Sequence, residues 1–350
     1  MSSKLIVVIG ATGGQGGSVA RLFAKDGWRV RGITRNPDKP SNAALRELGI
    51  ELVAANLDDP ASLVKAFEGA NAIFAVTDFW QFVMDPAVHA TAAQTGKMPN
   101  EVAFDREVEQ GRNIVDAATK HLSTLERFVF SSLSDTKKWT KGKIVWNLHF
   151  DDKAVILDYV SHILPVSPFA IIADHDIFQL HDKHPALAAK SSFLQMGMYM
   201  SNYRMQSPVF SPVKQADGTF TLQGRGSAAH LAPLVDPQND TGYFVKALVA
   251  ADPGTTVLGT CKEMPYDDFW RMWAEIKGVE LKIEDVGVKL PEGTPEWMRL
   301  EMEATVEYCS EYGWTGGDPD VKRPEEIGVE MGKLTDVETW LREEKFEGLL

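Results

Sequence analysis

The chain begins with a segment that leaves few folds open to it: an unbroken apolar run, LIVVI at 5–9, then GATGGQGG, then SVARLFAKDG. A continuous apolar run marks a strand covered on both faces, as in a parallel sheet flanked by helices. In the third piece Val19, Ala20, Leu22 and Phe23 form one helical stripe, and Gly27 follows as a stop. Strand, glycine loop and helix together are the start of a βαβ unit. Within the loop Gly10, Gly13 and Gly16 stand at G-x-x-G-x-x-G spacing. The first permits a tight turn, the second lets backbone approach a pyrophosphate, and the third lets helix and strand pack closely. The free N–H groups of the helix N-terminus then face the phosphates. Ala11, Thr12, Gly14 and Gln15 complete the expected phosphate-binding loop. A glycine-rich turn that binds nothing would not explain that spacing.

The alternation continues. Strands are expected at 28–34, 50–56, 71–77 and 127–132, with helices at 42–48 and 62–70. A long helix lies between the last two strands, its stripe formed by Phe104, Val108, Gly111, Val115, Ala118 and Leu122. Repeated βα units predict an α/β fold, a Rossmann-type doubly wound parallel sheet with right-handed crossovers. Residues 78–103 read as a long loop, which at that length points to a functional role. Beyond Ser191 the pattern becomes α+β: strands in PVFSPVK and TFTLQG, a helix at 241–250, and acidic amphipathic helices at 265–277 and 295–311. Trp270 and Trp273, with Phe269 and Met272, read as the buried face of the first acidic helix. The expected organisation is a nucleotide-binding domain over 1–185 and a smaller α+β domain over 186–350 that closes the cleft.

Charge divides along the chain in the same way. Of 36 basic and 49 acidic residues, residues 251–350 hold 11 and 24, while residues 1–50 hold eight and three. An anionic ligand suits the basic start, and the acidic end argues against direct nucleic-acid binding. Cys261 and Cys309 are too few for a disulfide framework or a zinc site, so no metal is expected and a reducing compartment, cytoplasmic or also nuclear, is the economical reading. No stretch has the eighteen or more apolar residues of a membrane span. His175, His181 and His184, with Asp174, Asp176 and Asp182, read as a solvated polar loop, and Lys137, Lys138, Lys141 and Lys143 as a basic loop bordering the cleft.

Which dinucleotide the loop favours depends on the end of the second strand. An acidic residue roughly 20 positions beyond the loop holds the ribose 2′-hydroxyl of NAD, whereas an Arg accommodates the 2′-phosphate of NADP. Here the strand ends in Thr34-Arg35-Asn36, with no acid before Asp38. Arg35 is placed for a bidentate phosphate contact and Lys39 for a second charge, so NADP(H) is expected over NAD(H). Asn56, Asp58 and Asp59, closing the third strand, are candidates for the adenine edge. Thr77 ends the fourth strand, and with Asp78 and Phe79 it is expected near the ribose or nicotinamide.

GATGGQGGSVAR, TRNP at 34–37, AVTDFW at 75–80, EVEQGRNIVDAA at 107–118 and HFDDKA at 149–154 resemble the NmrA-like family of atypical short-chain dehydrogenases, and most closely its NADPH-sensor branch. The resemblance implies NADP(H) binding and, in several members, redox sensing or transcription modulation in place of turnover. It also implies a tyrosine-containing segment near the nicotinamide, for which SSFLQMGMYMSNY offers Tyr199 and Asn202. Short-chain dehydrogenase chemistry uses a Tyr acid with a Lys one helical turn later and a hydroxyl residue to orient the carbonyl. Lys153 is in place, but the Tyr position is His149, Leu133 stands where a hydroxyl residue is usual, and Ser132 or Ser134 is the substitute. The neighbouring lysine works against a cationic imidazole, so the site reads first as one kept for binding. Residues 161–183 have no counterpart in the family pattern and read as a surface excursion or an in-frame translated intron, with a lid as the other alternative. Two functions compete: a redox sensor that binds a regulatory protein partner according to cofactor state, and an NADPH-dependent reductase of a small carbonyl, enone or imine. Monomer and homodimer stay open.

Overall fold

The computed structural model describes residues 3–161, 184–224, 231–285 and 287–350. Most of the 161–183 segment, with its histidines and aspartates up to Asp182, therefore lies outside the described residues.

In chain order the strands are β1 Leu5–Val8, β2 Arg29–Thr34, β3 Glu51–Ala54, β4 Ala72–Ala75, β5 Arg127–Ser132, β6 Ser191–Met196, β7 Met198–Tyr199, β8 Val213–Lys214, β9 Phe220–Gln223, β10 Ala232–Val235, β11 Thr256–Gly259, β12 Lys262–Met264, β13 Leu281–Glu284 and β14 Val321–Lys322. The helices are α1 Gly14–Lys25, α2 Ala43–Glu47, α3 Pro60–Ala66, α4 Phe79–Val83, α5 Pro86–Thr95, α6 Pro99–Thr119, α7 Thr136–Trp139, α8 Leu148–Ser161, α9 Pro185–Ala188, α10 Pro237–Ala250, α11 Tyr266–Lys277, α12 Glu296–Glu311 and α13 Val337–Glu343.

Eight strands form one parallel sheet in the order β14-β11-β6-β5-β4-β1-β2-β3. The order reverses between β1 and β4, which opens a crevice beyond the carboxyl ends of those strands. Because successive side chains point to opposite faces, β1 feeds two cores. Leu5 and Val7 pack with Leu63, Ile114, Val115 and Ile156 of α3, α6 and α8. Ile6 and Val8 pack on the other face with Val19, Phe23, Phe244 and Leu248 of α1 and α10. The continuous apolar run of β1 is thus the signature of a strand covered twice. The Rossmann-type expectation is met.

The chain beyond residue 185 supplies β6, β11 and β14 to this same sheet, so a division at 185/186 does not divide the sheet. Two three-stranded sheets, β12-β10-β7 and β13-β9-β8, stand apart and enclose a third core with Trp270, Trp273 and Phe346. Trp270 and Trp273 are buried on α11, as their spacing predicts.

One expectation fails: 78–103 is not a loop. It forms α4 and α5 and leads into α6, and these helices bury Phe79, Phe82, Val83 and Val88 against Leu148 and Trp297. Helix-start signals were present at Asp78 and at Asp85-Pro86, where each carboxylate accepts a backbone N–H of the first turn. No helix among the described residues is long and apolar enough to cross a membrane.

Candidate functional site

The crevice beyond β1 and β4 is a cleft of about 1190 Å³. Its floor is the glycine loop. Gly10 has φ of +67°, and a Cβ on Gly16 would lie 2.3 Å from the carbonyl oxygen of Gly10, so α1 can approach β1 only with glycine there. α1 starts at Gly14 with no side-chain cap on its free N–H groups. Thr12, Gly13, Gly14 and Gln15 line the cleft, an arrangement that fits the pyrophosphate of a dinucleotide. Ala11 differs from its neighbours in the loop. It turns into the core beneath the loop and is fully buried.

The cations lining the cleft fall into two pairs. Arg106 donates to Asp58 (3.1 Å), and Lys153 to Glu107 (2.7 Å). Arg35 and Lys39, exposed in the loop after β2, make no ion pair with any described residue. That loop is pinned by Asn42, whose side-chain amide donates to the Asn36 and Pro37 carbonyls (3.0 and 3.2 Å). At the end of β3, Asn56 and Asp58 line the cleft, and Asp58 also accepts from Gln110 (3.0 Å). Asp59 does not line it. Its carboxylate caps α3 by accepting from the Ala61 and Ser62 N–H groups.

Thr77, Asp78 and Phe79 line the middle of the cleft, where His149, Lys153, Ser132, Tyr199 and Asn202 meet them. The one-turn spacing of α8 brings His149 and Lys153 together, with the Lys153 ammonium 3.4 Å from the His149 carbonyl. Ser131, not Ser132, reaches the glycine loop: its hydroxyl donates to Gln15 Oε1 (2.7 Å), and Gln15 Nε2 donates to the Tyr199 hydroxyl (2.6 Å). Burial pushes the Tyr199 hydroxyl above the usual phenol range. Ser132 spends its proton on the Leu133 carbonyl (3.1 Å), and Ser134 is held by Tyr308 and the Trp314 carbonyl. The hydroxyl candidates on β5 are thus largely occupied. None of Lys137, Lys138, Lys141 and Lys143 lines the cleft, and Lys143 pairs with Glu307 and Glu311 on α12.

Two fully buried carboxylates complete the site. Glu301 of α12 accepts from His149 Nδ1 (2.7 Å) and the His149 backbone N–H (3.0 Å) through one oxygen, and from Asn100 (3.0 Å) through the other. With Nδ1 engaged, Nε2 is the ring nitrogen left for the cleft. Glu107 of α6 holds Lys153, beside the equally buried Asp152. Burial opposes charge on all three members of this group. Even so, Lys153 holds Glu107 below the usual carboxylate range, and the acids around Lys153 hold its ammonium above the usual lysine range. Burial and the Glu107 charge push Asp152 well above the carboxylate range. The lysine charge next to His149 is therefore compensated, and a carboxylate faces the imidazole.

Sequence reasoning missed Glu107 and Glu301, and a signal for each exists. Glu107 lies inside the stripe of Phe104, Val108 and Gly111, and Glu301 inside that of Trp297, Ala304, Thr305 and Tyr308. A carboxylate on the buried face of a helix requires a partner.

The sequence model of the NmrA-like family matches residues 2–170. Among curated proteins, the NmrA-like family domain-containing oxidoreductase hkm9 of Aspergillus hancockii is 35% identical over 144 residues, 41% of this chain and 38% of that protein. The oxidoreductase notA of an Aspergillus species is 36% identical over 141 residues, 40% of this chain and 37% of that protein. The match thus spans about two fifths of these relatives' lengths. Among solved structures, NmrA, a negative transcriptional regulator, in complex with NADP superimposes with a TM-score of 0.70 at 19% identity, covering 98% of this chain and 95% of NmrA. NmrA in complex with NAD gives the same values. Leucoanthocyanidin reductase with NADPH from Vitis vinifera gives 0.62 at 14% identity, covering 96% and 98%. The glycine loop and the HFDDKA segment both lie within residues 2–170, the part of the chain that is similar to the NmrA-like family.

Proposed function

We propose that the chain is an NADP(H)-dependent reductase of a small carbonyl, enone or imine, with His149 as proton donor and Glu301 orienting it. The carrying observation is the 2.7 Å bond from His149 Nδ1 to a buried carboxylate at the wall of the cleft. In its cationic form the ring donates from both nitrogens, one to Glu301 and one toward the cleft. Glu301 fixes the ring orientation, a part that a carboxylate plays beside a catalytic histidine. The bound dinucleotide would supply the hydride. A hydride at the carbonyl carbon and a proton from His149 Nε2 at the oxygen give the alcohol, and solvent returns the proton to the ring. Lys153, locked by Glu107, is the candidate for holding the ribose hydroxyls. Unpaired Arg35 and Lys39 support NADP(H) over NAD(H). In this reading residues 1–185 carry most of the dinucleotide site and 186–350 close it through α12. The fungal relatives hkm9 and notA, both named as oxidoreductases, agree with it.

A second reading keeps the likeness to the NADPH-sensor branch: the chain binds a regulatory protein partner according to cofactor state. It is favoured by one feature, that α12 from the far end of the chain forms part of the cleft wall and contacts His149, so occupancy can be felt there. The likeness to a negative transcriptional regulator fits it. NADPH oxidation over a ketone and imine panel, with His149→Ala as control, separates the two. Turnover lost in the variant with cofactor affinity kept supports the reductase, and absence of turnover across the panel with cofactor-dependent partner capture supports the sensor.

A further inference from the structure

The cleft's volume of about 1190 Å³ exceeds the ~300–1,000 Å³ usual for one small ligand. His149 sits in the middle of an aromatic belt that lines this space. Trp80 of α4 lies 5.0 Å from its ring, Phe150 4.9 Å on the other side, and Trp314, after α12, 5.4 Å from Phe150. Trp314 is anchored by its indole N–H on the Met196 carbonyl (2.8 Å). Leu133, Met198, Met205, Val306 and Cys309 extend the wall without charge.

Charges elsewhere in the described lining are committed. Asp78 and Asp85 cap helices, Asp58 pairs with Arg106, and Lys153 pairs with Glu107. The unpaired Arg35 and Lys39 stand after β2, at the opposite end of the dinucleotide site. Among the described residues, no lysine or arginine near His149 is left unpaired to neutralise a carboxylate or phosphate on a substrate. Burying such a group there would leave it unpaired, which is costly. An uncharged ring resting on Trp80 or Trp314 gains ring contacts that an aliphatic ring of similar size does not.

We infer that the substrate is an uncharged ketone or imine bearing an aromatic ring, which rests on Trp80 or Trp314 and presents its C=O or C=N to His149. This rests on the reductase reading and adds the substrate class.

The test is calorimetric binding of acetophenone, acetylcyclohexane and acetylbenzoate to the full chain, with and without NADP+, followed by NADPH oxidation with each. Acetophenone is expected to bind about tenfold more tightly than acetylcyclohexane. It should bind about a hundredfold more tightly than acetylbenzoate. Trp80→Leu or Trp314→Leu should bring the first ratio to about two or less. Equal binding of the three, no binding of any, or a preference that survives in both variants overturns the inference. The expected binding order without NADPH oxidation sinks the reductase reading and leaves the ring site standing. Oxidation of NADPH at equal efficiency with all three does the reverse.

Discussion

Glu301→Gln is the sharpest perturbation of the proposed proton donor, because the site can accept it with little rearrangement. The amide oxygen can still accept from His149 Nδ1 and its backbone N–H, as Glu301 Oε1 does at 2.7 and 3.0 Å. The amide nitrogen would face Asn100 Nδ2, but the Asn100 Oδ1 is buried without a hydrogen bond, so a flip of Asn100 turns donor against donor into donor against acceptor. What is lost is the charge. A hydrogen bond to an ionised partner is worth ~1.5–3 kcal/mol against ~0.5–1.5 for a neutral one, a difference of about 1.5 kcal/mol. If His149 carries positive charge on the way to proton transfer, single-turnover oxidation of bound NADPH by acetophenone should slow by roughly tenfold. Stability should fall by no more than about 1.5 kcal/mol. Glu301→Leu supplies the contrast: three donors lose their acceptor, at ~1–3 kcal/mol each, and a loss of about 3 kcal/mol or more should appear in urea denaturation. The reasoning fails if Glu301→Gln folds normally and turns over within twofold of the native rate. Glu301 would then be packing, and the proton would come from elsewhere.

Three further outcomes follow from the same geometry. Arg35→Ala should weaken NADP binding by about 30-fold, the worth of a charge-assisted bond, and NAD binding by less than about threefold; equal loss in titrations of both removes the 2′-phosphate contact. Gly16→Ala would drive a methyl into the Gly10 carbonyl, 2.3 Å away, and should cost at least ~1–3 kcal/mol with loss of dinucleotide affinity; a variant with native melting temperature and affinity contradicts the close approach of α1. Burial raises the Asp151 carboxyl to about 7. The folded state then binds the proton more tightly than the unfolded state, so this group's contribution is complete below about pH 4 and lost as pH rises through 7. Asp151→Asn, whose amide oxygen can still accept from the Thr136 and Lys137 N–H groups, should gain stability relative to the native chain between pH 5 and 8, and parallel urea curves across that range would refute the shift.

The parts of the fold legible in sequence were those with long or doubly buried elements. β1, β2, β5, α11 and α12 announce themselves by apolar runs or helical stripes. β11 did not, although it lies inside the main sheet. It has four residues, TVLG, too short for either period to register, and its pairings to Phe193–Met196 and Val321–Lys322 make it a strand. The same limit hid the continuity of the sheet past residue 185. Local chemistry was enough to predict that the glycine loop and Arg35 lie side by side on the cleft, since a βα turn places both beside its own strand.

Pairs that join distant segments were beyond such reasoning, and they decide how His149 is read. Beside Lys153 alone, an imidazole in the tyrosine position looks like a lost acid, because two cations one turn apart repel. The structure shows both side chains answered by carboxylates from other helices, Glu107 for Lys153 and Glu301, 152 residues away, for His149. Burying two carboxylates costs several kcal/mol each unless their partners are fixed. Hydrophobic residues of similar volume would stabilise α6 and α12 at least as well. The cost is easier to account for if the charges act on the cleft, where Glu107 holds the ammonium and Glu301 the ring. A purely structural pair would survive replacement of His149 and Glu301 together by Phe and Leu with unchanged NADPH oxidation. Loss of turnover in a stable double variant would show that the buried charge serves the chemistry.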